Sequence, residues 1–278
     1  MRLLTLKKVL VATDLEATSL PALESARSLA EASGADLHVV HVTSGDDAGG
    51  ALEHALEQAK IAPSSASVHL VAGEPASEIS RLADKLEADA LVLGAHRGRA
   101  DSSTRALGST AMAIVTDVAV PCLVARQRLQ LPLENVVVAV DMSDAARGAL
   151  AVGLSWASAL RAGGADGTST TLTTLHVRRS AQGAPAELEH EIARVRDDAG
   201  TWAGVSIEPE WLIGESVTET IGRFVVDRHA GLVVLGTRGL GLDSRGRVGS
   251  VSATLMQRLD VPVLLVPPAV WTAHAPKR

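Results

Sequence analysis

The stretch Leu232-Val-Val-Leu-Gly236-Thr-Arg-Gly239 joins an apolar run to a glycine loop, and Gly249-Ser250 closes that loop further along the chain. The apolar run is typical of a buried strand, and the apolar residues after the loop, 251–259, indicate a helix. Glycines beside a helix start let the backbone approach an anion closely, because the N–H groups of the helix end face it. The stretch therefore predicts a strand–loop–helix unit that suits a phosphate group.

A less regular version of this loop lies in the first half of the chain. It reads Gly94-Ala-His-Arg-Gly98 and closes at Gly108-Ser109, so it has one extra residue between its first two glycines. The prolines that precede the last apolar run of each half, Pro121 and Pro262, are separated by the same interval as Gly108 and Gly249. The repeat predicts two copies of one domain.

Short apolar strand patterns alternate with helical patterns in each copy. Such alternation favours a parallel sheet that is covered on both faces. The sequence therefore predicts an α/β fold: two tandem open five-stranded parallel sheets with helices on both faces, Rossmann-like, at residues 1–127 and 133–268. The aspartates that end the first strand of each copy, Asp14 and Asp141, are separated by a shorter interval than the later matched pairs. This shorter interval indicates deletions in the first half of the second copy, or a shorter arrangement beside the linker.

The composition excludes several classes of function. The chain has 278 residues and a formal net charge of −6, with one Phe, no Tyr and four Trp, so it lacks the basic and aromatic surface that nucleic acids need. The single cysteine, Cys122, excludes an internal disulfide and a multi-cysteine zinc site, and its apolar neighbours predict a buried thiol. Because no apolar run is long enough for a signal peptide or a membrane span, we expect a cytoplasmic protein that binds neither membrane nor nucleic acid.

Ligands of open parallel sheets bind beyond the carboxyl ends of the strands, where the strand order reverses. Three segments of each copy meet there: the ends of the first and second strands and the glycine loop. The candidate residues of the second copy are Val140, Asp141, Val177, Gly236, Gly239, Gly249, Ser250 and Val251, and those of a second candidate site are Thr13, Asp14, Val42, Gly94, Gly98, Gly108 and Ser109. We interpret His41 and His176, at the ends of the second strands, as hydrogen-bonded structural histidines rather than catalytic bases.

The residue types at these positions favour a nucleotide. Ser250 either caps its helix or turns its hydroxyl to a phosphate. Asp141 would repel bare phosphates, so it accepts from a ribose hydroxyl or a base amine, or helps to hold a metal ion. Arg238, Arg245 and Arg247 flank the loop and suit phosphate, although surface solvation is the commoner fate of such arginines. The Walker lysine and the dinucleotide fingerprint are both missing, and no Ser/His/Asp set or carboxylate pair indicates catalysis.

With the loop from Gly236 to Ser250, the chain resembles the universal stress protein family in its tandem two-domain form, over nearly its whole length. The loop matches the ATP-binding signature of that family without a gap. Asp141 and Val177 match nucleotide-contact positions of ATP-binding members, as Asp14 and Val42 do in the first copy. The resemblance implies ATP in the second copy, with Mg²⁺ from solution on its phosphates. In the first copy the extra loop residue leaves nucleotide binding open.

The resemblance also implies a role and a mode of association. We expect a cytoplasmic ATP-binding stress-response protein that acts as a nucleotide-dependent sensor or interaction module for an unknown protein partner, without strong turnover. Two alternatives stay open: a ligand-free interaction module and a slow ATP hydrolase. Family members dimerise through their fifth strands, so residues 121–125 and 261–266 would make an internal pseudo-dimer, and a homodimer of chains also stays open.

Overall fold

The computed structural model describes residues 5–43, 49–95, 108–141, 143–161, 169–179, 204–238 and 248–270, together with 186, 189, 190, 192 and 193. The chain divides into two compact units, formed mainly by Leu6–Gln130 and by Leu131–Leu259. No helix in these described ranges combines the length and the apolar character that crossing a bilayer requires.

The described part of the first unit contains five strands and four α-helices. The strands are β1 (Lys8–Ala12), β2 (Asp36–Thr43), β3 (Ala66–Ala72), β4 (Ala90–Gly94) and β5 (Cys122–Ala125), and the helices are α1 (Leu20–Ser33), α2 (Gly49–Gln58), α3 (Pro75–Leu86) and α4 (Ser109–Asp117). Short 3-10 turns lie at Ala17–Ser19 and Pro63–Ser65. The strands form a parallel sheet in the order β3-β2-β1-β4-β5.

The second unit repeats this arrangement. Its strands are β6 (Asn135–Ala139), β7 (Thr170–Arg178), β8 (Val205–Ile213), β9 (Leu232–Gly236) and β10 (Val263–Val266), and its described helices are α5 (Asp144–Ala159), α6 (Val217–Asp227) and α7 (Ser250–Arg258). The strands are parallel in the order β10-β9-β6-β7-β8. The predicted helix between β7 and β8 lies mostly outside the described residues.

The predicted fold class is confirmed: two parallel α/β units, each with its first strand in the middle of the sheet. The middle strands are apolar because both faces are covered, and Val9, Leu10 and Val11 have no exposed surface. Cys122 is buried as its apolar neighbours predict, and burial raises the pKa of its thiol. From the central strand the chain moves first to one side of the sheet and then to the other, so the strand order reverses beside β1 and beside β6.

The interpretation of the second copy as shortened is wrong. The interval between equivalent positions of the two copies grows along the chain: it is shortest between the starts of β1 and β6 and longer between the equivalent histidines, His41 and His176. It is longer still between Leu70 and Trp211, the residues that pair with these histidines on the next strand. The second copy is therefore longer, with added residues between β6 and β7 and between β7 and β8. Connections at a sheet edge accept such additions because they disturb no strand pairing.

Candidate functional site

Each unit has a cavity at the carboxyl ends of its central strands, where the strand order reverses. The cavity of the second unit measures about 530 Å³ and is bordered by the ends of β6, β7 and β9 and by the start of α7. The cavity of the first unit measures about 440 Å³ and has the same borders, with α4 in place of α7. Both volumes lie in the range of small-molecule sites.

The structure brings the predicted site residues of each copy together. Those that line the second cavity are Val140, Asp141, Val177, Gly236, Gly249, Ser250 and Val251. Those that line the first cavity are Thr13, Asp14, Val42, Gly94, Gly108 and Ser109. Arg238 also lines the second cavity, while Gly239, Arg245, Arg247 and Gly98 lie outside the described residues.

Helix α7 presents its positive end to the second cavity. Gly249 is the residue before the helix, and its N–H donates to the Thr237 carbonyl at 2.7 Å. The first three residues of the helix, 250–252, all line the cavity, and their N–H groups have no acceptor within the helix. Of the two roles considered for Ser250, the helix cap does not occur, because Ser250 is the first helical residue and Gly249 holds the cap position without a side-chain hydrogen bond.

The first glycine of each loop is explained by packing. A Cβ at Gly236 would lie 2.8 Å from the carbonyl carbon and 2.8 Å from the Cβ of Ala145, in the first turn of α5. A Cβ at Gly94 would lie 3.1 Å from the Cα of Ser19. Neither glycine has a left-handed backbone, and Gly249 has a φ of −59°. The first glycine lets a helix start approach the strand end.

Ser143 connects Asp141 to the glycine loop. The Ser143 N–H donates to Asp141 Oδ1 at 2.9 Å, and the Ser143 hydroxyl donates to the same oxygen. That hydroxyl lies 3.3 Å from the Arg238 carbonyl and accepts from the Ala146 N–H, which caps α5. Ser143 is not among the site residues that were predicted from the sequence. The signal was present, since a serine two residues after an aspartate and just before a helix is typical of a turn and an N-cap.

The first unit holds its aspartate differently. Asp14 Oδ1 accepts from the Glu16 N–H at 3.1 Å, within a turn that also places Leu15 at a φ of 65°. The Thr13 and Ser19 hydroxyls are 2.8 Å apart, and the Ser19 hydroxyl donates to the Glu16 carbonyl. Ser19 is the residue before α1, but its side chain does not cap the helix, because its hydroxyl bonds within the turn.

The histidines at the ends of the second strands are hydrogen-bonded, as predicted. His41 Nδ1 donates to the Thr13 carbonyl at 2.9 Å, and His176 Nδ1 donates to the Val140 carbonyl at 2.8 Å. A carbonyl oxygen only accepts, so Nδ1 carries the hydrogen and each neutral ring keeps Nε2 as an acceptor. Both rings line their cavities, and Trp211 packs edge-on against His176 at 5.8 Å. Of the residues that the structure describes, one imidazole with a fixed tautomer therefore borders each cavity.

The comparisons with known proteins give one family. The family model described as "Universal stress protein family" matches residues 5–126 and again 132–267. A universal stress protein from Archaeoglobus fulgidus DSM 4304 is similar at 21% identity and a TM-score of 0.69, covering 94% of this chain and 98% of that one. A putative universal stress protein from Pseudomonas aeruginosa UCBPP-PA14 is similar at 15% identity and a TM-score of 0.68, covering 98% and 97%. No curated protein matches the sequence. The two structures share the fold, and the double family match shows that this chain belongs to the universal stress protein family, with two copies of the family domain in tandem.

Proposed function

We propose that the chain binds ATP in the cavity of the second unit and that the bound nucleotide controls contacts with a protein partner in a cytoplasmic stress response, without rapid turnover. The observation that carries the proposal is convergence. Asp141, Val177 and the positive end of α7 come from three separate segments and border one cavity of about 530 Å³. A carboxylate, an apolar side chain and a helix N-terminus suit a ribose or base, an adenine ring and a phosphate chain respectively.

In this proposal the adenosine lies near Asp141 and Val177, and the triphosphate lies along the loop. The N–H groups of Ser250 and Val251 are donors that the helix leaves unused, so they are the natural phosphate ligands. Asp141 is the acidic side chain among the described residues of this cavity. Among the described residues, a Mg²⁺ ion would therefore have at most this one carboxylate, and it would be held mainly by phosphates and water.

A ligand-free interaction module is the second candidate function, and the packing of the glycines favours it. Gly236 and Gly94 each stand where a helix start approaches closely, so both glycines are explained without a phosphate. The ATP proposal then depends on Gly249 and the N–H groups that follow it. The position of Gly249 is consequently the best place to test the proposal.

The test is a calorimetric titration of the full-length, nucleotide-stripped protein with ATP and Mg²⁺, using Gly249→Asp and Gly249→Asn as a matched pair. Asp and Asn are both good residues at the start of a helix, so both variants should fold. The Asp carboxylate repels phosphate, and we expect it to lower the ATP affinity by about tenfold or more, whereas Asn should not.

The titration and an assay of phosphate release together distinguish the candidate functions. Equal ATP affinity in Gly249→Asp and the parent protein would contradict the proposed phosphate position. Absence of heat at several temperatures, without competition by labelled ATP, would select the ligand-free module. Phosphate release that disappears in Gly249→Asp would support a slow ATP hydrolase instead.

A further inference from the structure

Two histidines meet on one face of the first sheet, away from the nucleotide cavity. His38 is on β2 and His69 is on β3, and the Nδ1 atom of His38 lies 3.1 Å from the Nε2 atom of His69. The ring centroids are 5.3 Å apart and the ring planes are inclined by 28°. Neither histidine borders the cavity of this unit, and both rings are half-exposed, so solvent reaches the pair.

The two facing ring nitrogens, His38 Nδ1 and His69 Nε2, share one hydrogen. A hydrogen bond between two ring nitrogens needs one N–H and one lone pair, so the two facing nitrogens cannot both carry a proton. Burial lowers the pKa of both rings. The effect of Asp36 on His38 opposes this shift, whereas the positive charges of Lys8 near His38 and Lys85 near His69 add to it. Neutral imidazole is the form that binds a metal ion.

We propose that His38 and His69 form a two-histidine site for a divalent transition-metal ion of the zinc or copper class, with water completing the coordination. Metal–imidazole bonds are about 2.05 Å long, so two nitrogens 3.1 Å apart enclose an angle of about 98° at a shared ion. This angle lies between square-planar and tetrahedral geometry. Metal binding needs a lone pair on both facing nitrogens, so the shared hydrogen moves to the other nitrogen of its ring. Both imidazoles then bind as neutral ligands, without net release of a proton.

The donor set decides the class of metal. Two imidazole nitrogens suit Zn²⁺, Cu²⁺ and Ni²⁺, whereas Mg²⁺ and Ca²⁺ require oxygen ligands. No group of three or more His, Cys, Asp or Glu side chains suited to a metal occurs in the described part of the chain, so the described residues give the site two protein ligands. Asp36 attracts a cation, while Lys8 and Lys85 oppose it, and we therefore expect modest affinity.

The second unit provides an internal comparison. The strand pairings place Thr173 and Glu210 at the positions equivalent to His38 and His69. These residues supply no imidazole, so the proposed site belongs to the first unit alone. Cys122 does not compete for the ion, because its thiol is buried and its pKa is raised.

The experiment is a Zn²⁺ titration of the full-length protein at about pH 7.5, above the pKa of free histidine, in a buffer that does not bind metals. Nucleotide is left out because its phosphates bind Zn²⁺. The variants are His38→Gln and His69→Gln. The control is His54→Gln on α2, which removes an exposed histidine that bonds only to Gln58 among the described residues.

We expect the parent protein and His54→Gln to bind Zn²⁺ with equal affinity. In His38→Gln and His69→Gln, Zn²⁺ binding should be lost or weakened by about tenfold or more, because only one of the two imidazoles remains. Unchanged circular dichroism and ATP titration would show that the variants are folded. With Cu²⁺, electron paramagnetic resonance should show two coupled nitrogens in the parent and one in His38→Gln. Equal Zn²⁺ binding in the parent and His38→Gln, or no binding by the parent, would overturn the proposal.

Discussion

The two units share a sheet order and a cavity, but they differ in the connection after the first strand. In the second unit α5 begins at Asp144, only a few residues after β6, and Ser143 joins Asp141 to the carbonyl of Arg238. In the first unit a 3-10 turn precedes α1, and Asp14 bonds within that turn. The length of this connection therefore decides how closely a helix start, an aspartate and a glycine loop are joined.

The largest expected effect is a difference in the free energy of unfolding between alanine variants of Gly236 and Gly94. Gly236→Ala places a methyl group 2.8 Å from backbone atoms of Ala145, which cannot move without shifting α5. We expect a loss of about 2–3 kcal/mol in the free energy of unfolding, measured with urea. Gly94→Ala meets its nearest atom at 3.1 Å and should cost less than about 1 kcal/mol, since the lower chain entropy of alanine offsets part of the strain. Equal losses would refute this explanation of Gly236.

These glycines also show which features of the structure can be predicted from the sequence. The apolar runs and the glycine spacing predict both sheets. They also predict that the site residues lie close together, because the ends of parallel strands meet at one edge of a sheet. The sequence could not show that Gly236 contacts Ala145, since that distance depends on how a helix packs. Ser143 was missed for a related reason: an Asp-x-Ser spacing is local, but its bond to the Arg238 carbonyl joins distant parts of the chain.

The two cavities should bind ligand independently of each other. Gly108 occupies the same helix-start position in the first unit as Gly249 does in the second. We expect Gly249→Asp to lower the ATP affinity of the second cavity by about tenfold or more, and Gly108→Asp to leave it unchanged within about twofold. Calorimetry of both variants measures affinity and stoichiometry together. A large loss of affinity at the second cavity in Gly108→Asp would show that the cavities are not separate.

A smaller effect should follow from the Ser143 link. Ser143→Ala removes the cap of α5 and should lower the free energy of unfolding by about 1 kcal/mol. It also removes the hydroxyl that lies between Asp141 and the loop, so we expect the ATP affinity to fall by about threefold. Ser216→Ala is the matched control, because Ser216 caps α6 with its hydroxyl but does not line the nucleotide cavity. If both variants changed ATP affinity equally, the Ser143 link would have no specific role.

The smallest expected effect is a difference in pH dependence between the units. The pKa values of His38 and His69 are lowered from 6.5, and burial is the largest cause. As the pH falls, these histidines therefore take up protons in the unfolded chain before they do so in the folded protein. The stability of the first unit should therefore decrease as the pH falls below about 6.5, because the unfolded state binds more protons. Urea unfolding of the parent and of His38→Gln between about pH 7.5 and pH 5.5 tests this, with His54→Gln as the control. The parent should lose stability more steeply than His38→Gln, and the equivalent positions Thr173 and Glu210 provide no such histidine pair in the second unit. If the free energy of unfolding changed with pH in the same way in the parent and in His38→Gln, the hydrogen-bonded pair would add nothing to the pH dependence. If the parent profile were steeper and Zn²⁺ reduced its slope, the proton and the metal ion would bind at the same two nitrogens.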